Sequence, residues 1–349
     1  MSEPTENQNP EHHRRVRYSG THPKKFGEKY KELNPEKYQE DVEKVKMRGQ
    51  TPAGSHRPIC VDEILEALKI SPGLKGVDCT LGYGGHTREI LERLGPEGLL
   101  IGLDVDAVEQ EKTISRLRGL GFDEKVFQAR HLNFSQVATC LEMVPEGFDF
   151  ILADLGVSSM QLDTPQRGFS YKNPAPLDLR LDPTSGETAA EFLRRVREDD
   201  LIEMLRENAD EPQALLLGKA ICRQRNQCQT TKGLAGVIEE IFEIKGLRKE
   251  ELKSTYQRVF QALRIEVNHE FSVLNQLLES LPRCLKSGGR VAILTFHSGE
   301  DRRVKLAFKE YEKAGIFSEV VRRPLRPSGK ERHDNPRSSP AKLRWAVKA

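Results

Sequence analysis

Residues 76–86 read GVDCTLGYGGH, and this stretch decides the fold. It begins as an apolar run of strand length, gathers three glycines at 82, 84 and 85, and passes into a stretch of helical periodicity after Gly85. A strand that turns through glycines straight into a helix is the corner of a βα unit. The same alternation extends in both directions. Upstream, VDEILEALKI (61–70) spaces Ile64, Leu65 and Leu68 as a helix does. Downstream, LLIGLDV (99–105) and GFDFILADLGV (147–157) read as a second and a third strand, ending in Asp104 and Asp154. A helix around EVNHEFSVLNQLLESLPRCL then leads into a long apolar strand, GGRVAILTFHS (288–298), and AKLRWAVKA closes the chain as a last strand. Short apolar runs alternating with helices predict an α/β protein with a Rossmann-like, mostly parallel sheet.

Between 164 and 256 the pattern changes to charged helical stretches such as AAEFLRRVREDDLIEMLREN, with no strand among them. The predicted organisation is a polar extension over 1–55, broken by Pro10, Pro23, Pro35 and Pro52; a first part of the α/β domain over 56–163; a helical insertion over 164–256; and the second part of the domain over 257–349. No run approaches the ~20 apolar residues that a membrane helix needs, and the acidic start has no apolar core of a secretory signal. The six cysteines form no C-x-x-C pair and no zinc-ligand spacing, so reduced thiols in a cytoplasmic setting and no metal are expected.

In an open α/β sheet a ligand lies outside the carboxyl ends of the strands, where the glycine turn, Asp104 and Asp154 should meet. Asp104 is placed to accept from ribose hydroxyls. A dinucleotide site of the G-x-G-x-x-G type wants a third glycine where this chain has Thr87. Asp78, four residues before the first glycine, is the kind of group that can hold a cationic amine. S-adenosylmethionine carries an amino group and no phosphate, so it is the expected cofactor in preference to NAD. Asp154 could accept from an exocyclic amine and orient it toward a methyl donor.

The segments HRPICVDEIL, DCTLGYGGH, DLGVSSMQLDTPQRGFSYKNPAPLDLRLD, VFQALRIEVNHE, GGRVAILTFHSGEDRRVK and NPRSSPAKLRWA resemble, in order, the motifs of the ribosomal small-subunit methyltransferase H family, the 16S rRNA cytosine-N4 methyltransferases also called MraW. The resemblance covers about residues 56–349. It implies a class I methyltransferase that uses S-adenosyl-L-methionine, acts on a cytidine of 16S rRNA near the decoding centre within the small ribosomal subunit, forms a homodimer, and uses the helical insertion to recognise RNA. The cofactor contacts it implies are Gly84, Gly85, His86, Asp104, Phe134, Asp154 and Gln161. Where family members usually read FHSLEDR this chain has FHSGEDR, which should remove an apolar contact beside His297. A tyrosine-glycine-glutamate motif of the insertion is replaced by NADEP (208–212).

The expected catalytic group is Asp154, with His297 or Ser298 from the neighbouring strand end, accepting amine hydrogens; the proton released after transfer goes to Asp154, His297 or water. Phe169 and Tyr171 either stack on the cytosine or plug the insertion. Phosphate contacts are expected among Arg167, Arg180, Arg223, Arg225, Arg264, Arg302, Arg303, Arg337 and Lys342. A non-catalytic RNA-binding assembly factor, or a methyltransferase on another RNA, would share much of this pattern. The formal charge of +2 hides an uneven distribution: residues 320–349 hold nine Lys and Arg against Glu331 and Asp334, a local net of +7, which leaves −5 on the other 319 residues. A nucleic-acid partner is compatible with that distribution.

Overall fold

The computed structural model describes residues 58–246 and 248–349; the expected extension over 1–55 lies outside them. Among the described residues a single sheet of seven strands runs in the order β3-β2-β1-β4-β5-β7-β6. Its strands are β1 (Lys75–Asp78), β2 (Leu99–Asp104), β3 (Phe127–His131), β4 (Phe148–Asp154), β5 (Leu285–Thr295), β6 (Phe317–Val320) and β7 (Lys342–Lys348). β1 to β5 are parallel, whereas β7 is antiparallel to both β5 and β6. Strand order reverses between β1 and β4, the kind of position at which open α/β sheets bind ligands.

The two faces of the sheet follow from strand alternation. In β4, Phe148, Ile151 and Ala153 face one side and Phe150 and Leu152 the other; in β5, Val291 and Ile293 oppose Ala292 and Leu294. The first face is covered by α10 (Glu270–Cys284) through Leu274, Leu277, Leu278 and Leu281, and by α11 (Ser298–Lys313) through Val304 and Phe308. The second is covered by α1 (Val61–Leu68) through Ile64 and Leu68, and by α2 (Gly85–Leu94) through Ile90, Leu91 and Leu94. Beside α2, α3 (Ala107–Gly119) contributes Leu117. Strands apolar on both faces are what parallel sheets covered by helices require.

Two strands go beyond the sequence expectation. β3 buries only Phe127 fully and β6 has four residues, FSEV, with two of them exposed, so neither makes an apolar run. The strand ending in Asp154 is therefore the fourth, not the third.

After β4 come α4 (Ser159–Asp163) and five longer helices, α5 (Ala189–Arg195), α6 (Glu198–Ala209), α7 (Ala214–Arg223), α8 (Thr231–Lys245) and α9 (Lys249–Val267). α5 to α9 share a core of their own, including Phe192, Leu201, Leu205, Leu217, Ile221, Leu234, Ile238, Val259 and Leu263. The expected boundary between 256 and 257 falls inside α9, because Tyr256, Val259 and Phe260 all pack into this one core. Phe169 is buried in it, and Tyr171 stacks on Tyr256 at 4.6 Å and meets Phe260 edge-on at 5.9 Å. Both aromatics plug the insertion.

The segment from Asp154 to Asp182 threads between the two cores and is clamped at several points. Arg167 donates to Asp106 Oδ2 at 2.6 Å and to the carbonyls of Arg180 and Leu181 at 3.0 and 2.8 Å. Asn268, the residue that ends α9, accepts from Leu181 N at 2.7 Å and donates to the carbonyls of Leu179 and Arg264 at 2.8 and 2.7 Å. Leu179, buried and at φ 66°, is held in a left-handed conformation that leucine rarely adopts. Asn268→Ala strands an amide and a carbonyl on that segment, and should lower stability by about 2 kcal/mol in chemical denaturation.

Candidate active site

The site grows from the end of β1. Asp78 is 1% exposed, and its Oδ2 accepts from Thr87 Oγ1 at 2.6 Å while its Oδ1 accepts from Thr80 N at 3.1 Å. The carboxylate thus ties the strand end to the first turn of α2 and holds the glycine turn between them. Both oxygens of Asp78, expected to hold a cofactor amine, are engaged by the loop. Thr87, which the sequence weighed only as a missing glycine, is fully buried because it is the partner of Asp78. Thr80 carries the connection onward, since its Oγ1 accepts from Asp154 N at 2.7 Å.

Gly84 precedes α2 at φ 76°, in the left-handed region that favours glycine, and no side chain caps the helix. A Cβ on Gly85 would lie 2.4 Å from Pro58 Cγ, so the incoming chain before α1 packs directly on the turn. From the other side, Thr113 donates to the Gly82 carbonyl at 2.7 Å, and the Arg116 guanidinium lies 3.4 Å from the Tyr83 ring centroid while bonding that residue's carbonyl.

Asp104, at the end of β2, accepts from Gly82 N at 2.7 Å and from Asp106 N at 2.8 Å. Burial pushes its carboxyl up to about 6, against the pull of these backbone amides and with a smaller push from Asp106. Asp154, at the end of β4, has Oδ1 buried without a hydrogen-bond partner among the described residues and Oδ2 3.5 Å from His86 Nδ1. Its carboxyl is also pushed up to about 6, chiefly by burial and further by Asp78 and Glu300, with His86 opposing. The other ring nitrogen of His86 lies 3.0 Å from the Ile59 carbonyl. A carbonyl only accepts, so Nε2 carries a proton and Nδ1 is the edge turned to Asp154.

Of the remaining expected contacts, Phe134 is partly buried at the start of the turn that follows β3, next to Asn133. Gln161 lies in the first turn of α4 and makes a reciprocal cap with Ser158: its amide donates to Ser158 Oγ at 3.2 Å and its side chain accepts from Ser158 N at 2.9 Å. His297 and Ser298 lie at the β5 to α11 junction. Ser298 is exposed, with Oγ 3.4 Å from Asp210 Oδ2. His297 Nε2 is 3.2 Å from Glu300 Oε1, but the alignment is poor, and neither ring nitrogen has a well-directed hydrogen bond among the described residues. Burial disfavours the ionised form of Glu300, yet His297 and the Arg264 guanidinium outweigh it and hold the carboxyl below its ordinary value. Glu270 joins this group, gripped by Arg264 at 2.7 and 2.9 Å. Glu300, three residues after His297, has the spacing of a helix cap, a signal the sequence offered; Glu270 and Arg264 are brought in only by the fold.

The space beside Gly299 is filled by an aromatic ring. The Phe271 ring stands beside His297 with centroids 5.8 Å apart, and a Cβ on Gly299 would fall 2.6 Å from its Cζ. The Arg303 guanidinium covers the ring at 3.5 Å and donates to the Gly299 carbonyl at 3.1 Å. The NADEP loop is a joint between insertion and sheet. Glu211 is buried against Arg258 at 2.6 Å, and Asp210 reaches Ser298 and, at 3.8 Å, Arg302.

A family model described as the MraW methylase family matches residues 53–349. A protein called ribosomal RNA small subunit methyltransferase H 1, from Lachnoclostridium phytofermentans, is 53% identical across 99% of this chain and 96% of its own length. Ribosomal RNA small subunit methyltransferase H 2 of Alkaliphilus metalliredigens is 51% identical across 96% of this chain and 97% of its own. Among solved structures, an rRNA methylase from Streptococcus thermophilus aligns over 82% of this chain and 93% of that one, with 12% identity and a TM-score of 0.39. Among the described residues no helix is long and apolar enough to cross a membrane.

Removing the Thr87 hydroxyl leaves a buried carboxylate short of a partner. Thr87→Val should cost about 2 kcal/mol in urea unfolding while Thr87→Ser stays near the parent; equal stability of both variants would contradict the anchoring role of Asp78.

Proposed function

Because the chain belongs to the MraW methylase family, we propose that it is the methyltransferase that modifies the exocyclic N4 amine of a cytidine in 16S rRNA, near the decoding centre of the small ribosomal subunit. The observation that carries this is Asp154: a carboxylate at the switch point of the sheet, beside the glycine turn, with one oxygen buried and without a hydrogen-bond partner among the described residues. The family resemblance supplies the 16S target, the cytoplasmic setting and the homodimer.

S-adenosylmethionine, when bound, supplies a methyl group activated on a sulfonium. The residues present fit it. Asp104, fixed by two backbone amides, stands at the strand end where a ribose would lie, and Gly84, at φ 76°, turns the chain beside it. His86, Phe134, Gln161 and Asp154 itself complete the set that the resemblance assigns to the cofactor.

The cytosine amine is a poor nucleophile because its lone pair is delocalised into the ring. Asp154 Oδ1 accepts one of its hydrogens, holds the amine in line and localises that pair. Transfer of the methyl group, its bond to the sulfonium sulfur breaking with the electron pair left on sulfur, would leave an extra proton on the nitrogen, and Asp154 would receive it. A carboxyl raised toward neutrality suits this task better than an ordinary one, since it remains ionised above about pH 6 and still binds a proton firmly. His86 stands behind Asp154, with Nδ1 3.5 Å from Oδ2. His297, seated against Phe271 and Glu300, lines the β5 side of the crevice.

Asp154→Asn keeps the shape and loses the base. It should reduce turnover by about 100-fold or more while S-adenosylmethionine affinity changes little, and full activity would remove the assignment. The pH dependence has a definite sign. Activity needs ionised Asp154, so turnover at saturating cofactor falls as pH drops through about 6. The contribution of Asp154 to folding runs the other way: its raised value favours the protonated folded form, so this stability is present in acid and is lost as pH rises through about 6. Turnover that stays flat a full unit below that value contradicts the role.

A further inference from the structure

We infer that the exposed segment carrying Arg323, Arg326, Lys330 and Arg332 is the surface that grips the RNA phosphate backbone and delivers the target nucleotide to the crevice; this rests on the RNA methyltransferase reading above. The first argument is where the positive charge is free. Most of the basic residues expected to touch phosphate are engaged internally: Arg167 with Asp106, Arg180 with Asp178, Arg264 with Glu270, Arg337 with Asp163 and Lys342 with Asp301. Arg225 donates to the carbonyls of Cys222, Arg194 and Val196. Within the C-terminal excess, Arg344 is buried against Asp301 and Arg322 pairs with Glu312. Arg323, Arg326, Lys330 and Arg332 are all exposed, and none has an ion pair or side-chain hydrogen bond among the described residues. A phosphate contact exchanges condensed counterions for a protein cation, and cations already held by carboxylates gain far less from it.

The second argument is placement. The four lie between β6 and β7, in a segment tied down at three points. Leu325 pairs with Leu343 through two backbone hydrogen bonds of 2.9 Å. Glu331, between Lys330 and Arg332, accepts from Cys60 N at 3.0 Å. Arg337 grips Asp163 at 2.7 and 3.2 Å. Cys60 follows Pro58 and Ile59, which touch Gly85 and His86, and Asp163 ends the helix that begins five residues after Asp154. The anchors therefore fasten the basic segment to both walls of the crevice. The acid nearest in sequence, Glu331, is turned inward to an anchor.

The test is RNA binding by the full chain across a salt series, with a small-subunit rRNA fragment as probe. Combined Arg323→Ala, Arg326→Ala, Lys330→Ala and Arg332→Ala should flatten the slope of log K against log salt by about 3 and leave S-adenosylmethionine affinity unchanged. The control removes four exposed lysines elsewhere, Lys125, Lys305, Lys309 and Lys313, and should leave the slope near the parent value. An unchanged slope in the first variant, or equal loss in both, overturns the surface while leaving the enzymatic reading in place. Failure of the unaltered protein to bind or methylate the RNA overturns both.

Discussion

The buried carboxylate of Asp78 is the constraint on which the site depends. A polar group taken out of water needs partners, and here they come from Thr80 and from Thr87 across the glycine turn. Satisfying Asp78 determines where the chain leaves β1, where α2 begins and which way the turn opens. It also places Thr80, whose hydroxyl accepts the amide of Asp154, so the ends of the two strands that flank the switch point are fastened together. Asp104 completes the arrangement by accepting the Gly82 amide from the β2 side.

The insertion is mounted on this platform. Arg167 fastens the segment after β4 to Asp106, two residues beyond Asp104, and Asp210 reaches the β5 to α11 junction. Arg264, Glu270, His297 and Glu300 form a charged group where α9, α10 and β5 meet. Arg264 pairs with Glu270, and Glu300 accepts from the backbone amides of Phe296 and His297, so the end of the insertion and the β5 to α11 junction meet at one cluster.

What the sequence made legible follows from these contacts. β1, β2, β4, β5 and β7 stood out because most of their residues are buried, which writes an apolar run; β3, with Arg130 and His131 exposed, wrote none. Asp104 and Asp154 were legible because an acid at the end of an apolar strand has few other reasons to be there. Asp78 looked the same, but its partner Thr87 lies nine residues on, and only the turn brings them together. The arginines show the limit most clearly. Their number and clustering are visible in the chain, whereas which are already held by a carboxylate is a property of the fold, and it moves the proposed phosphate contacts from Arg167, Arg180 and Arg264 to the segment around Arg326.

The most direct measurement is mass-spectrometric mapping of N4-methylcytidine in 16S rRNA from cells with and without this protein. The account predicts that one such nucleotide near the decoding centre loses this modification when the protein is absent and regains it on complementation by the parent chain but not by Asp154→Asn. An unchanged N4-methylcytidine signal in cells lacking the protein would contradict it.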